Sequence, residues 1–177
     1  MNTIDFLLDK LYKNNELSRE ELLYILENLD DDHTEKLFEY ARKTRDRYYG
    51  NKVYMRGLIE FSNVCRMNCM YCGIRSGNKK AERYRLTSEQ ILDCCREGYA
   101  LGYRTFVLQS GEDPWYTADK LIDIIKEIKR LFPDAAVTLS IGERSEEEYR
   151  AFFEAGAERY LLRHETASRA LYEKLHP

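Results

Sequence analysis

Three cysteines close together are the residues of this sequence with the clearest capacity for chemistry. Cys65, Cys69 and Cys72 lie in the stretch FSNVCRMNCMYCGIR with the spacing C-x3-C-x2-C. A structural zinc site normally takes four protein ligands, so three thiols leave one position to be filled by another group. The spacing therefore leaves two possibilities, a zinc site with a distant fourth ligand or a metal centre with one position open to a ligand or substrate.

The zinc alternative requires a fourth ligand from elsewhere in the chain, and none of the remaining cysteines or histidines has a zinc-finger spacing from the three cysteines. We expect at least one of the adjacent pair of cysteines in the helix after Thr87 to pack as a small apolar side chain, because free cysteine is usually buried. The candidate fourth ligands are Cys94, Cys95, His33, His164 and His176.

An iron-sulfur cluster suits the three thiolates better, because each iron takes one cysteine sulfur and the irons lie close together. Three thiolates on four irons leave one iron open for a ligand. The cysteine usage agrees with a metal centre, since an odd total of 5, with three clustered, does not describe a disulfide framework.

The composition describes an ordinary soluble globular protein. The chain has 177 residues, 44% hydrophobic and 33% charged, and a formal net charge of -3. No basic stripe predicts a nucleic-acid partner, and no apolar run approaches the roughly 20 residues that cross a bilayer. The start of the chain lacks a signal-peptide pattern, so we expect a cytoplasmic protein without a membrane partner.

The first fifty residues carry helical patterns. Apolar residues recur at helical spacing from Ile4, a capping box at Ser18 and Glu21 opens a second helix, and a third runs from about Asp32 to a glycine stop at Gly50. We expect residues 1–50 to form a helical cap on the domain that follows.

From Lys52 onward, short apolar runs alternate with amphipathic patterns, which predicts an α/β fold of βα units on a parallel sheet. Strand starts near 53, 104, 135 and 159 give units of about 35 residues, whereas an eight-unit barrel takes about 250 residues. Residues 51–177 therefore predict about four units, half a barrel or a smaller complete sheet. The predicted strands are 53–61, 104–109, 135–140 and 159–163, and the predicted helices are 87–101, 118–131, 145–156 and one from about 168.

Polar residues follow the predicted strands at their carboxyl ends, the edge where barrels and open sheets place their chemistry. Gly111 would let the backbone approach a ligand closely and Glu112 would supply a negative charge, so together they suit a bound ammonium group. Thr138 and Ser140 alternate with apolar residues, so both hydroxyls would face one side, either the barrel interior or a neighbouring strand. After the fourth strand, Arg-His-Glu at 163–165 places three ionisable groups together, which favours a polar ligand.

The cysteine spacing on the loop after the first strand, with Tyr71 before the last cysteine, resembles the signature of radical S-adenosylmethionine (radical SAM) enzymes. That resemblance implies a TIM-type (βα)8 barrel, of which this chain would be the truncated N-terminal half, preceded by helices. It implies that Cys65, Cys69 and Cys72 hold a [4Fe-4S] cluster whose open iron binds SAM. Reduction then cleaves SAM to methionine and a 5′-deoxyadenosyl radical.

The segments FSNVCRMNCMYCGIR, LQSGEDP, TLSIGE and RYLLRHETA together resemble the HydE-type maturases of [FeFe] hydrogenases. The resemblance implies that Thr138 and Arg163 face the substrate, a cysteine-bound iron carbonyl cyanide processed toward the diiron site. Implied partners are an electron donor such as ferredoxin or flavodoxin and other hydrogenase maturases. The residues that would contact SAM are Tyr71, Ser110, Gly111, Glu112, Ser140 and Glu165.

Two other interpretations stay open. A methylornithine synthase-like radical SAM mutase is the alternative among enzymes, and a non-catalytic iron-sulfur or zinc binding module is the alternative of another class. Because a complete barrel would carry further SAM contacts, we expect the 177-residue chain alone to have little or no activity.

Overall fold

The structure is a computed structural model that describes residues 3–177. The chain divides into two compact units, Met1–Tyr54 and Met55–Pro177. The described part of the first unit is helical, with α1 (Thr3–Asn14), α2 (Arg19–Asn28) and α3 (Asp31–Tyr49). No helix among residues 3–177 combines the length and the apolar character needed to cross a membrane.

The starts of the second and third helices and the stop at Gly50 agree with the sequence prediction. Ser18 and Glu21 form a reciprocal capping box, and Asp30 caps α3 by accepting from the backbone N–H of His33. Gly50 follows α3 with φ 59°, a conformation that favours glycine. The buried apolar residues that hold these helices together are Ile4, Leu7, Leu8 and Ile25.

The second unit is a parallel sheet with helices between its strands. Within residues 3–177 the sheet has four strands in the order β1-β2-β3-β4, all paired in parallel. The predicted α/β architecture of βα units is confirmed. The elements are β1 (Gly57–Ser62), α4 (Ser88–Ala100), β2 (Thr105–Ser110), α5 (Ala118–Leu131), β3 (Ala136–Ser140), α6 (Glu146–Ala155), β4 (Ala157–Tyr160) and α7 (Arg169–Leu175).

The predicted bounds are accurate for the helices and wrong for the two outer strands. The capping residues Thr87 and Ser145 stand directly before α4 and α6, as predicted. β1 begins only at Gly57, and β4 covers Ala157–Tyr160 rather than 159–163. β4 starts early because Gly156, with φ 112°, ends α6 and turns the chain straight into the sheet. The prediction carried the strand to residue 163 because Leu161 and Leu162 are apolar, but both leucines are exposed in the structure.

The core lies between the sheet and its helices. Phe106 and Leu108 on β2 and Leu139 on β3 point toward the helical side, where they meet Ile125 and Ile128 of α5. Successive strand residues alternate between faces, so the intervening residues lie on the opposite face of the sheet. Packing on one face thus fixes the strands, and their carboxyl ends share one edge.

Phe106 is the clearest test of this core. Its ring is fully buried, lies 6.1 Å from the ring of Phe132, and fits against Gly57 and Gly98. We expect Phe106→Ala to lower the free energy of unfolding of the second unit by about 3–5 kcal/mol, because it removes a large side chain and leaves a cavity. Urea unfolding followed by the fluorescence of Trp115, the single tryptophan, would measure the loss in this unit.

The matched control is Phe153→Ala, since Phe153 is 71% exposed on α6 of the same unit. We expect that variant to stay within about 0.5 kcal/mol of the parent chain. Equal unfolding midpoints for the two variants would contradict the assignment of the core.

Candidate metal centre

The three cysteines lie on the long segment that leaves the carboxyl end of β1 and leads to α4. Cys65, Cys69 and Cys72 are each half-buried. Short backbone bonds fold the segment on itself: the N–H of Cys72 donates to the carbonyl of Cys69 at 3.0 Å, and the N–H of Ser76 donates to that of Met67 at 2.8 Å. The thiols are therefore displayed on an ordered loop with partial access to solvent.

The other two thiols of the loop act on the pKa of Cys69. Burial raises the pKa of Cys69, and the nearby Cys65, Cys72 and Glu112 raise it further, against one backbone hydrogen bond that lowers it. A positively charged metal centre would remove this mutual repulsion by binding the thiolates.

Within the described residues, 3–177, the structure brings no fourth ligand to the cysteines for a mononuclear zinc site. Across residues 3–177, no group of three or more His, Cys, Asp or Glu side chains is arranged to hold a single metal ion. Cys95 is fully buried in α4, where burial raises the pKa of its thiol to about 12, whereas Cys94 is exposed. Three thiols distributed along one loop fit an iron-sulfur cluster, whose ligands bind different metal atoms.

The loop after β2 is pressed against the cysteine loop at Gly111. A Cβ at this position would lie 2.4 Å from the carbonyl oxygen of Val64 and 2.6 Å from the Cβ of Cys65. The N–H of Gly111 donates to the carbonyl of Ser62 at 3.2 Å. The absence of a side chain at Gly111 is what lets the two loops meet. The sequence predicted a close approach to a ligand at this position, and in the structure the Gly111 backbone lies against the cysteine loop.

Glu112 joins the two loops through its backbone. Its N–H donates to the Sγ of Cys65 at 3.4 Å, and its carbonyl accepts from the N–H of Arg66 at 3.0 Å. Beside them, the hydroxyl of Ser110 donates to the carbonyl of Gly111 at 2.7 Å. A cysteine sulfur that receives a backbone N–H is the kind of outer contact that tunes a metal centre.

The carboxylate of Glu112 extends the site to the loop after β3. It accepts from the Nε of Arg66 at 3.0 Å and from the N–H of Glu143 at 3.3 Å. The backbone of Gly142, with φ 77°, packs against the Glu112 side chain, and a Cβ at Gly142 would lie 2.2 Å from the Cγ of Glu112. Three loops thus meet around one carboxylate. A cavity of about 400 Å³ opens beside it, lined by Arg66, Glu112, Asp113, Pro114, Glu143, Arg144, Ser145 and Glu148.

A buried carboxylate that the sequence analysis missed lies behind these loops. Asp113 is 1% exposed and accepts from the hydroxyl of Ser62 at 2.7 Å and from the Nε and Nη2 of Arg85 at 2.6 and 3.0 Å. The N–H of Trp115 donates to it at 3.0 Å. Burial acts to raise the pKa of Asp113, but these hydrogen bonds and the Arg85 charge outweigh it and hold that pKa below its usual value.

A second missed residue, Arg83, fixes the loop that carries the cysteines. Its guanidinium donates to the carbonyls of Asn63 and Ile74 at 2.5 and 2.8 Å and to those of Arg75 and Asn78 at 2.8 and 3.2 Å. One side chain therefore ties the chain before the cysteines to the chain after them. Only the Arg-Tyr-Arg pattern at 83–85 marked this place in the sequence, and nothing in it distinguished these arginines from surface charges.

Tyr71 and Glu165, two predicted SAM contacts, lie near each other. Partial burial and the neighbouring Glu165 carboxylate raise the pKa of Tyr71 to about 12. The Tyr71 hydroxyl lies 2.7 Å from the Nε2 of His176, and the N–H of Met70 donates to the carbonyl of Leu175 at 2.9 Å. The carboxyl end of α7 therefore packs on the cysteine loop.

The remaining predicted site residues differ in their surroundings: the substrate residues Thr138 and Arg163, the SAM contact Ser140, and His164 beside Arg163. Thr138 is buried within β3 and Ser140 is half-buried at its carboxyl end. Arg163 and His164 are exposed and lie beyond β4, which ends at Tyr160, so the expectation that they stand at the very end of the strand is corrected. The strand ends earlier because its pairing with β3 stops at Leu139 and Tyr160, one residue before β3 itself ends at Ser140.

The contact at Gly111 yields a test of the loop geometry. We expect Gly111→Ala to displace the loop around Cys65 and to weaken iron and sulfide binding on anaerobic reconstitution by about 10- to 100-fold, the range for contacts that support metal ligands. Iron content and the absorbance of the reconstituted protein would measure it. Gly73→Ala is the control, because no atom lies within 4 Å of a Cβ at Gly73. Equal iron contents in the two variants would contradict this account.

Comparison with known proteins places the chain in a family. The sequence profile of the radical SAM superfamily matches residues 59–177. The [FeFe] hydrogenase maturase subunit HydE of Thermotoga maritima is 50% identical over 171 residues, which cover 97% of this chain and 48% of that protein. The chain thus spans about half the length of this relative.

Two solved structures share the fold. Methylornithine synthase (PylB) superposes with a TM-score of 0.80 at 30% identity, covering 96% of this chain and 50% of that one. The [FeFe]-hydrogenase maturase HydG superposes with a TM-score of 0.84 at 30% identity, covering 99% of this chain and 39% of that one. The parallel sheet therefore corresponds to the N-terminal half of a TIM-type barrel. Members of the family use a [4Fe-4S] cluster and SAM, and the cysteine loop, the parallel sheet and the profile match together assign the chain to the radical SAM superfamily.

Proposed function

We propose that this chain forms the cluster- and SAM-binding part of a radical SAM enzyme that acts in assembly of the diiron site of [FeFe] hydrogenase. The observation that carries the proposal is the 50% identity to HydE across 97% of the chain. The site geometry supports it, because the three half-buried cysteines lie on the loop at the carboxyl edge of β1. In these enzymes, one-electron reduction of bound SAM supplies a 5′-deoxyadenosyl radical.

Cys65, Cys69 and Cys72 would hold the cluster, and the chain's own contacts prepare them for it. The N–H of Glu112 points at the Sγ of Cys65, where it would stabilise a thiolate bound to iron. Arg83 holds the loop on both sides of the cysteines. Because the loop is already ordered, cluster binding would cost less conformational entropy.

The charged cavity beside Glu112 is the place we propose for the amino-acid part of SAM. An ammonium group suits the carboxylates of Glu112 and Glu143, and a carboxylate suits the guanidiniums of Arg66 and Arg144. In the structure Glu112 is paired with Arg66, so binding would exchange this ion pair for contacts with the ligand. Other proposed SAM contacts are Tyr71, Ser110, Gly111, Ser140 and Glu165.

The substrate and the partners follow from the relative rather than from the geometry. We assign Thr138 and Arg163 to an organometallic iron-cysteine substrate, because a guanidinium fork suits its carboxylate. A ferredoxin or flavodoxin would supply electrons, and other hydrogenase maturases would act with this protein. Thiols of this kind are kept reduced in the cytoplasm, where we place it.

Anaerobic reconstitution with iron and sulfide tests the cofactor assignment. We expect the parent chain to bind a [4Fe-4S] cluster whose reduced electron paramagnetic resonance (EPR) signal changes when SAM is added, because SAM would bind the open iron. We expect alanine variants of Cys65, Cys69 and Cys72 to lose at least tenfold in cluster content, since each removes a ligand. Cys94→Ala is the matched control, because Cys94 is exposed on α4.

A colourless zinc protein, or a cluster whose EPR signal ignores SAM, would contradict the proposal and support a non-catalytic metal-binding module. Loss of the cluster in Cys94→Ala as well would show that the variants report misfolding rather than ligation.

Methylornithine synthase remains the second candidate, because its solved structure shares the fold at 30% identity. Chimeras would separate the two functions. We expect this chain, joined to the remainder of Thermotoga maritima HydE in place of the aligned segment, to restore hydrogenase activity in cells that lack HydE. The same chain joined to the remainder of methylornithine synthase should give no methylornithine. The opposite pattern would favour the second candidate.

A further inference from the structure

Asp113 is a buried carboxylate to which the proposed function gives no role. It is 1% exposed, although an unpaired buried charge would be strongly unfavourable. Its oxygens receive four hydrogen bonds from three different side chains or peptide groups, those of Ser62, Arg85 and Trp115. Because all four hydrogen bonds come from the protein itself, Asp113 acts as a structural link between the segments that carry Ser62, Arg85 and Trp115.

The donors to Asp113 come from distinct parts of the chain. Ser62 is the last residue of β1, three residues before Cys65, and Arg85 lies where the cysteine loop returns toward α4. Ser62 and Arg85 also form an isolated antiparallel bridge, and the N–H of Leu86 donates to the carbonyl of Phe61 at 2.8 Å. Asp113 itself belongs to the loop after β2. One carboxylate thus ties the start and the end of the cysteine loop to the neighbouring loop.

The adjoining residue, Glu112, makes the contact with the candidate cluster ligand. The N–H of Glu112 lies 3.4 Å from the Sγ of Cys65, and its carbonyl accepts from the N–H of Arg66 at 3.0 Å. The N–H of Glu112 and the carbonyl of Gly111 share one rigid peptide plane, and the N–H of Asp113 donates to that carbonyl at 2.8 Å. The anchor at Asp113 therefore restricts the orientation of the Glu112 N–H. We infer that Asp113 is a positioning residue that, through Ser62 and Arg85, holds the Glu112 N–H on the Cys65 sulfur and the Glu112 carboxylate at the SAM cavity.

This inference rests on the proposed function for the identity of the cluster and of SAM, but its first readout does not need SAM. A hydrogen bond to a cluster sulfur stabilises the more negative, reduced state and so raises the reduction potential. We expect Arg85→Lys and Ser62→Ala, which loosen the anchor but leave the charge of Asp113 in place, to lower the potential of the reconstituted cluster measured without SAM. We expect the dissociation constant for SAM to rise about tenfold in Asp113→Asn, which keeps the size of the side chain but removes its charge.

These two milder variants keep the test decisive if Asp113→Asn loads little iron. Arg85→Lys retains the charge but loses the two-pronged contact. Ser62→Ala removes the 2.7 Å bond to Asp113 together with the bond that the Ser62 hydroxyl accepts from the N–H of Val64 at 3.2 Å. Each should lower the potential, because the Glu112 N–H contact weakens while the Asp113 charge stays in place. In the protein without iron, amide hydrogen exchange of the segment 109–116 should be faster in all three variants than in the parent chain.

The control is Asp134→Asn, the same substitution at a different ion pair. Asp134 pairs with Arg104 at 3.1 Å, and both side chains are about half exposed. Asp134 precedes β3 and so lies at the opposite edge of the sheet from the cysteine loop. This variant should leave the potential unchanged. Unaltered potentials in Arg85→Lys and Ser62→Ala, or an equal shift in Asp134→Asn, would overturn the inference. A potential that falls as expected in a protein whose EPR signal ignores SAM would keep the role of Asp113 and refute the proposed function instead.

Discussion

The parallel direction of the strands is the constraint on which the site depends. Because β1, β2 and β3 run the same way, the segments that follow them emerge at one edge of the sheet. The cysteine loop, the Gly-Glu-Asp segment and the Ile-Gly-Glu segment are far apart in sequence and meet there. An antiparallel arrangement would have placed alternate segments at opposite edges, and the cysteines would then have no partner loop.

A shared edge alone does not let the loops pack together. Their side chains must not overlap, and their buried polar groups need hydrogen-bond partners. Gly111 solves the steric part, since any Cβ would overlap the backbone of Val64. Asp113 solves the polar part: a charge inside the protein is costly, yet here it satisfies the hydroxyl of Ser62 and the guanidinium of Arg85 at the same time. In this short segment, Gly111 therefore provides the steric fit, Glu112 contacts the cysteine sulfur, and Asp113 anchors the loop.

The sequence predicted those features that depend on local physics. Capping boxes at Thr87 and Ser145 placed helices to within a residue, because the cap is formed by side chains three residues apart. The end of β4 was predicted wrongly, because pairing with β3 decides it and the two exposed leucines at 161–162 look like strand residues. Asp113 and Arg85 were missed for the same reason, since their contact spans 28 positions and leaves no local pattern.

The two faces of the sheet show why the chemistry belongs at this edge and on one side. The face toward the helices is apolar and filled, as in Phe61 and Leu108. On the other face the register aligns Glu60 with Gln109 and Gln109 with Ser140. Sheets packed only for stability on both sides carry apolar residues on both faces. A polar row next to the cysteine loop instead provides hydrogen-bonding groups for a polar ligand, and Ser140 in this row is one of the proposed SAM contacts.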